Sequence, residues 1–181
     1  NTIVPAVIPH AEADLQSVVE QYTFAPNVQI DIVDGVFATP ASWPYTPAGD
    51  VAAASVVCER FEVQVDIMAV DPLAMAKAWI AAGASELVIH VESVADLDPF
   101  KALRQVAQVK LWLSGADTLP IDRYVANSAD IDGVQLMGIH TIGQQGQPPS
   151  SQVVENIRAL RERLPTLPIQ IDGSVNTETI V

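Results

Sequence analysis

Seven apolar runs of strand length recur along this chain, near residues 3–8, 27–33, 61–67, 86–91, 109–113, 132–137 and 168–172. They read IVPAVI, VQIDIV, VQVDI, LVIHV, VKLWL, GVQLM and PIQI, and near-continuous runs of this kind point to strands buried on both faces. Helical periods lie between them. Leu15, Val18, Val19 and Tyr22 share one face of 13–24, and Val153, Val154, Ile157 and Leu160 share one face of 150–164. Asp71-Pro72 and Asp98-Pro99 each supply an acidic cap and a first-turn proline, while Gly83 stands where the third helix should stop. Strand–helix repetition of this length requires parallel strands joined by right-handed crossovers.

An open doubly wound sheet would also satisfy that order. The barrel is preferred because polar residues close several different strands, whereas an open sheet gathers them at one switch point. VQIDIVDGVF at 28–37 ends in Asp31, Asp34 and Gly35, VQVDIM carries Asp66, and PIQIDG ends in Asp172 and Gly173. Carboxylates at the ends of apolar strands are the sequence signature of a barrel-mouth site. The expected fold is therefore α/β, a (β/α)8 TIM barrel forming a single domain over residues 1–181. Its eighth strand is not visible after Thr179, in keeping with a length of 181 residues where complete barrels need about 200 or more.

Nine basic against 22 acidic side chains give a formal charge of −13, which repels a phosphate backbone and argues against nucleic-acid partners. An anionic ligand would have to be held mainly by backbone N–H groups. No apolar run approaches the roughly 18 residues of a membrane span, and the first residues lack a basic segment followed by an apolar signal region. The single Cys58 fits a reducing, cytoplasmic setting. Trp79 falls at core spacing with Leu73 and Ile80. Trp43 and Tyr45, in the loop beyond the second strand, are expected to cover the mouth or meet a second subunit of a homo-oligomer.

Six segments, in order, resemble the ribulose-phosphate 3-epimerases of the ribulose-phosphate-binding barrel group: IVPAVIPHAEADL, QIDIVDGVF, VDIMAVDP, IHVES, QLMGIHTIGQQGQPP and IQIDGSVNTET. The resemblance implies an enzyme that moves a proton off and onto carbon 3 of a ketopentose phosphate between two carboxylates. Those positions match Asp31 and Asp172. It also implies a divalent metal held by these aspartates and two histidines, whose positions here are Gln29 and Asp66. The set Gln29, Asp31, Asp66 and Asp172 is oxygen-only, so magnesium or manganese is favoured over zinc if a metal is bound. Ala6 replaces the family's first-strand serine. Of the pocket methionines, Met68 and Met137 are present and the third is Val33.

The same resemblance makes Gly143, Gly146, Gly173 and Ser174 the substrate-binding donors to a sugar phosphate. His90 is either a hydrogen-bonded core residue or a supporting residue that Glu92 orients, His140 a strand-six loop residue that either touches substrate or faces solvent, and His10 a loop residue. The stretch DIMAVD also resembles the Asp-x-Lys-x-x-Asp motif of a decarboxylase branch of the same barrel group. Met68 replaces its lysine and can supply neither charge nor proton. Two readings stay open: an epimerase, and a non-catalytic sugar-phosphate binder or structural relative that has lost the metal.

Overall fold

The computed structural model describes residues 2–143 and 146–179. Seven parallel strands form one sheet in sequence order: β1 (Ala6–Val7), β2 (Asn27–Val33), β3 (Glu62–Met68), β4 (Glu86–His90), β5 (Lys110–Ser114), β6 (Gly133–Met137) and β7 (Ile169–Asp172). The crossovers carry α1 (Ala13–Gln21), α2 (Ser55–Cys58), α3 (Pro72–Ala82), α4 (Asp98–Ala107), α5 (Asp122–Val125) and α6 (Gln152–Arg163). This is the strand order of a TIM barrel, curled but lacking an eighth strand among the described residues.

β2, β3, β4 and β6 are buried on both faces, as their near-continuous runs suggested, whereas β1 and β7 are not, and in the buried strands only one of the two faces is apolar. Val28, Ile30, Ile32, Val63, Val65, Ile67, Leu87, Ile89, Leu111, Leu113, Val134 and Leu136 pack outward with helix residues such as Leu15, Ala76, Trp79, Phe100 and Leu160. The alternate positions carry Gln29, Asp31, Gln64, Asp66, His90 and Gln135, which are buried on the concave face. Each outward Val, Ile or Leu contributes about 1.5–3 kcal/mol by leaving water, which offsets the cost of a polar lumen. The β2–β3 register sets Gln29 beside Gln64 and Asp31 beside Asp66. The β6–β7 register sets Gln135 beside Gln170 and Met137 beside Asp172.

Several local expectations hold. Asp71 precedes α3, Pro72 opens it, and Gly83 ends it with φ 108 and its N–H on the Ile80 carbonyl. Asp71 makes no side-chain cap, however, and Asp98 is the first residue of α4 rather than its cap. The first strand, expected over 3–8, shrinks to two residues. It is an edge strand interrupted by Pro5, and Ile3 is 70% exposed. Trp79 is fully buried as expected. Trp43 joins it, edge-on at 6.3 Å between ring centroids, so this tryptophan is core and covers no mouth. Tyr45 packs partly buried against the same core.

Candidate active site

Because β2, β3, β6 and β7 curl toward one another, their inward side chains meet across the lumen in two layers. The lower layer is made of four glutamines. Gln170 Nε2 lies 2.8 Å from Gln29 Oε1, 2.7 Å from Gln64 Oε1 and 2.5 Å from Gln135 Oε1. One NH2 group has two hydrogens, so it serves three carbonyls by sharing. Their orientation has consequences one layer up: Gln29 Nε2 donates to Asp31 Oδ1 at 2.8 Å, and Gln135 Nε2 donates to Asp66 Oδ2 at 2.7 Å. On the other side Gln64 donates to Glu86, which pairs with Lys110 at the start of β5.

The upper layer holds the carboxyls. Asp66 is fully buried, and its second oxygen, Oδ1, lies 2.9 Å from His90 Nε2. Burial alone pushes the His90 imidazole down. The charge and hydrogen bond of Asp66, with Glu92 and Asp172 further off, outweigh burial and hold it above its ordinary value, which favours an ion pair. Its Nδ1 has no partner among the described residues. Asp31 is held well above the usual carboxylate range, first by burial and then by repulsion from Asp172 and Asp66, against the Gln29 hydrogen bond. Asp172 rises to about 6 for the same leading reason, burial, followed by repulsion from Asp66; the Gly173 N–H and His90 oppose it.

The mouth above is lined by apolar groups. Met68, Val33 and Ala38 cluster with Phe37 and Ile142, and the Phe37 ring sits edge-on to His90 at 5.2 Å. Met137 is buried, with Sδ 3.8 Å from Gln135 Nε2. Asp34, although it closes a strand, is a structural acid: it accepts from the N–H groups of Val36, Phe37 and Val70. Glu92 does not orient His90. It is exposed on the turn after β4 and accepts from the Ala116 N–H at 2.6 Å. His10 is exposed in the loop after β1.

The loop residues expected to donate to a phosphate lie at the same end of the barrel. Gly143 has φ 80 and approaches so closely that a side chain there would meet Ala38 Cβ at 2.9 Å, so glycine is required. Gly146, Gly173 and Ser174 also have positive φ, and Ser174 Oγ donates to the Gln147 carbonyl at 3.0 Å. Gln144 and Gln145, within the same expected loop, lie outside the described residues.

The oxygen-only set does not fit a divalent cation in this arrangement. Both Asp66 oxygens accept hydrogen bonds, and Gln29 turns its N–H toward Asp31 and its carbonyl toward Gln170. Among the described residues no three His, Cys, Asp or Glu side chains are gathered to hold a metal. The lumen glutamines Gln64, Gln135 and Gln170 were not singled out from the sequence. Their signal was present, as the repeats QID, QVD and QID and the related QLM, each with glutamine two residues before a mouth position.

A model of the ribulose-phosphate 3 epimerase family matches residues 2–181. A ribulose-phosphate 3-epimerase of Chlamydia trachomatis serovar D is 24% identical over 161 residues, covering 86% of this chain and 67% of that protein. The enzyme of the same name from Chlamydia muridarum is 24% identical over 158 residues, covering 84% and 67%. The chain thus spans about two thirds of these relatives. Among solved structures, Mycobacterium tuberculosis tryptophan synthase superimposes with TM-score 0.65 at 14% identity over 96% of this chain and 74% of that one. Its aminoacrylate-bound form gives 0.63 at 12%, over 93% and 72%. At these identities the likeness concerns the fold alone. No helix among the described residues is long and apolar enough to cross a membrane.

Proposed function

Because the chain belongs to the ribulose-phosphate 3-epimerase family, we propose that it binds a small phosphorylated ketose and inverts a carbon beside the ketone by proton transfer between Asp172 and Asp31. The reading is carried by one observation. The two carboxyls, at the end of β7 and within β2, share the lumen and interact electrostatically, and burial raises both, Asp172 to about 6 and Asp31 well above its usual range.

Two-base epimerisation needs one group ionised and the other protonated near neutral pH. One of the two, as carboxylate, removes the proton from one face, leaving an enediolate. The other, as carboxylic acid, returns a proton to the opposite face, and the roles exchange in the reverse direction. Gln29 orients the Asp31 carboxyl through its N–H, and Met68 and Met137 exclude water from the reacting carbon. No step passes through a metal.

The test is deuterium wash-in from heavy water at the exchangeable carbon of ribulose 5-phosphate. Asp31→Asn and Asp172→Asn should each slow exchange at least about 100-fold. Exchange at the wild-type rate in both variants overturns the assignment. The apolar closure over His90 by Phe37 favours a second reading, a non-catalytic sugar-phosphate binder, and absence of exchange in the wild type with ribulose 5-phosphate would select it.

A further inference from the structure

A second polar cluster lies beyond the carboxyl layer, in the loops that follow β5 and β6. The Asp117 side chain is 2% exposed, and its Oδ2 accepts from Ser150 Oγ at 2.6 Å and faces His140 Nδ1 at 2.6 Å. The Asp117 carbonyl accepts from Asn156 Nδ2 at 2.8 Å, so this acid is held from α6 as well. Ser150 is fixed in turn: its N–H donates to the Gly138 carbonyl at 2.7 Å, and its Oγ accepts from the Gln152 N–H at 3.2 Å.

The consequence falls on His140. One ring nitrogen is tied to a buried carboxylate, yet the side chain is 70% exposed and lines a cavity of about 360 Å³. The opposite wall is Phe37, Ala38 and Thr39 of the loop after β2, so the cavity lies between the two loops that meet over the barrel mouth. A volume of this size lies in the range of small-molecule sites, about 300–1,000 Å³. None of the chain's nine Lys and Arg side chains lines it. His140 is therefore the lining side chain that can carry positive charge, in a protein with 22 acidic groups.

We propose that His140, oriented by Asp117, is the contact for the substrate's phosphate: the imidazolium donates Nδ1–H to Asp117 and Nε2–H to a phosphomonoester oxygen. This rests on the sugar-phosphate reading and supplies the cation that the composition otherwise lacks at the mouth. Asp117 and Ser150 are positioning residues. Asp117 sets the ring's direction and balances its charge, and Ser150 holds Asp117.

The chain has three histidines, so its imidazole proton resonances give a direct test on the intact protein. His140 is assigned as the signal lost in His140→Gln. Inorganic phosphate and ribulose 5-phosphate are then titrated in turn at constant ionic strength, with chloride as control. The His140 signal should shift saturably with both phosphates and not with chloride, while His10 stays in place. Tighter binding of ribulose 5-phosphate would identify the ester, rather than the free ion, as the better ligand. His140→Gln should weaken phosphate binding about tenfold or more. Asp117→Asn should also weaken it and change the ring nitrogen shifts of His140, a readout that a purely structural aspartate would not move.

An unshifted His140 signal, or equal phosphate affinity in wild type and His140→Gln, overturns the proposal. The two readings fail separately. Saturable binding at His140 without deuterium exchange removes the epimerase and leaves the phosphate contact. Exchange with unaltered phosphate affinity in His140→Gln does the reverse.

Discussion

Replacing Asp172 with asparagine should stabilise the fold at neutral pH while ending proton exchange. The carboxyl titrates at about 6 in the folded chain against an ordinary 3.8, chiefly because burial and Asp66 oppose its charge. At 1.36 kcal/mol per tenfold, that rise corresponds to about 3 kcal/mol. The residue keeps partial surface exposure, so solvent screening reduces the working figure to ~2 kcal/mol. The sign follows from linkage. A raised folded pKa contributes stability that is full below the unfolded value near 4 and is lost as pH rises through about 6. Asparagine never ionises, so the variant keeps what the wild type loses.

The difference between the two proteins should therefore be small at pH 4, open between pH 4 and about 6, and level off above 7. At ~2 kcal/mol a chain of this length gains about 4–8 °C in melting temperature. Urea unfolding at intervals across that range measures the gap, and heavy-water exchange in the same samples measures activity. Asp31 titrates in both proteins, and in the variant it loses the repulsion of Asp172, which widens the gap in the same direction. A gap that is flat with pH, or a variant less stable at pH 8 than at pH 5 relative to wild type, refutes the reasoning.

Gln170→Leu should destabilise the protein by at least about 3 kcal/mol, since each buried carbonyl left without a donor costs ~1–3 kcal/mol and three converge on this amide. An unchanged urea midpoint would show that the glutamine layer is not a connected network. Zinc, manganese, magnesium and EDTA should each leave the wild-type melting temperature where it was, because Asp66 and Gln29 are already committed to hydrogen bonds. A saturable rise with one of these cations that disappears in Asp31→Asn would overturn the account of the donor set.

Much of the architecture was legible because it depends on short-range periodicity. In VQIDIV, VQVDI, GVQLM and PIQI a near-continuous apolar run was enough to mark a buried strand, although the polar residues at every second position, which the structure turns into the lumen, were not read as a face. The stop at Gly83 needs only a positive φ, which a single residue declares. Asp31, Asp66 and Asp172 were recognisable as strand-end or near-end acids for the same reason. Their separate fates were not. Asp66 is hydrogen-bonded to His90, 24 residues away, and Asp34 looks equivalent on the page yet closes a turn.

By itself, then, the sequence determined the alternation, the strand count and the candidate acids, since each is encoded within a few residues by side-chain size, polarity and backbone preference. Only the tertiary structure decided which polar groups face one another. Gln170 meets Gln29 across 141 positions of chain, and His140 finds Asp117 across the gap between two loops. Those pairings depend on how far the sheet curls and on how the loops settle over its mouth. Curling is set by the packing of all the helices against the outer face, a collective property that no local pattern contains.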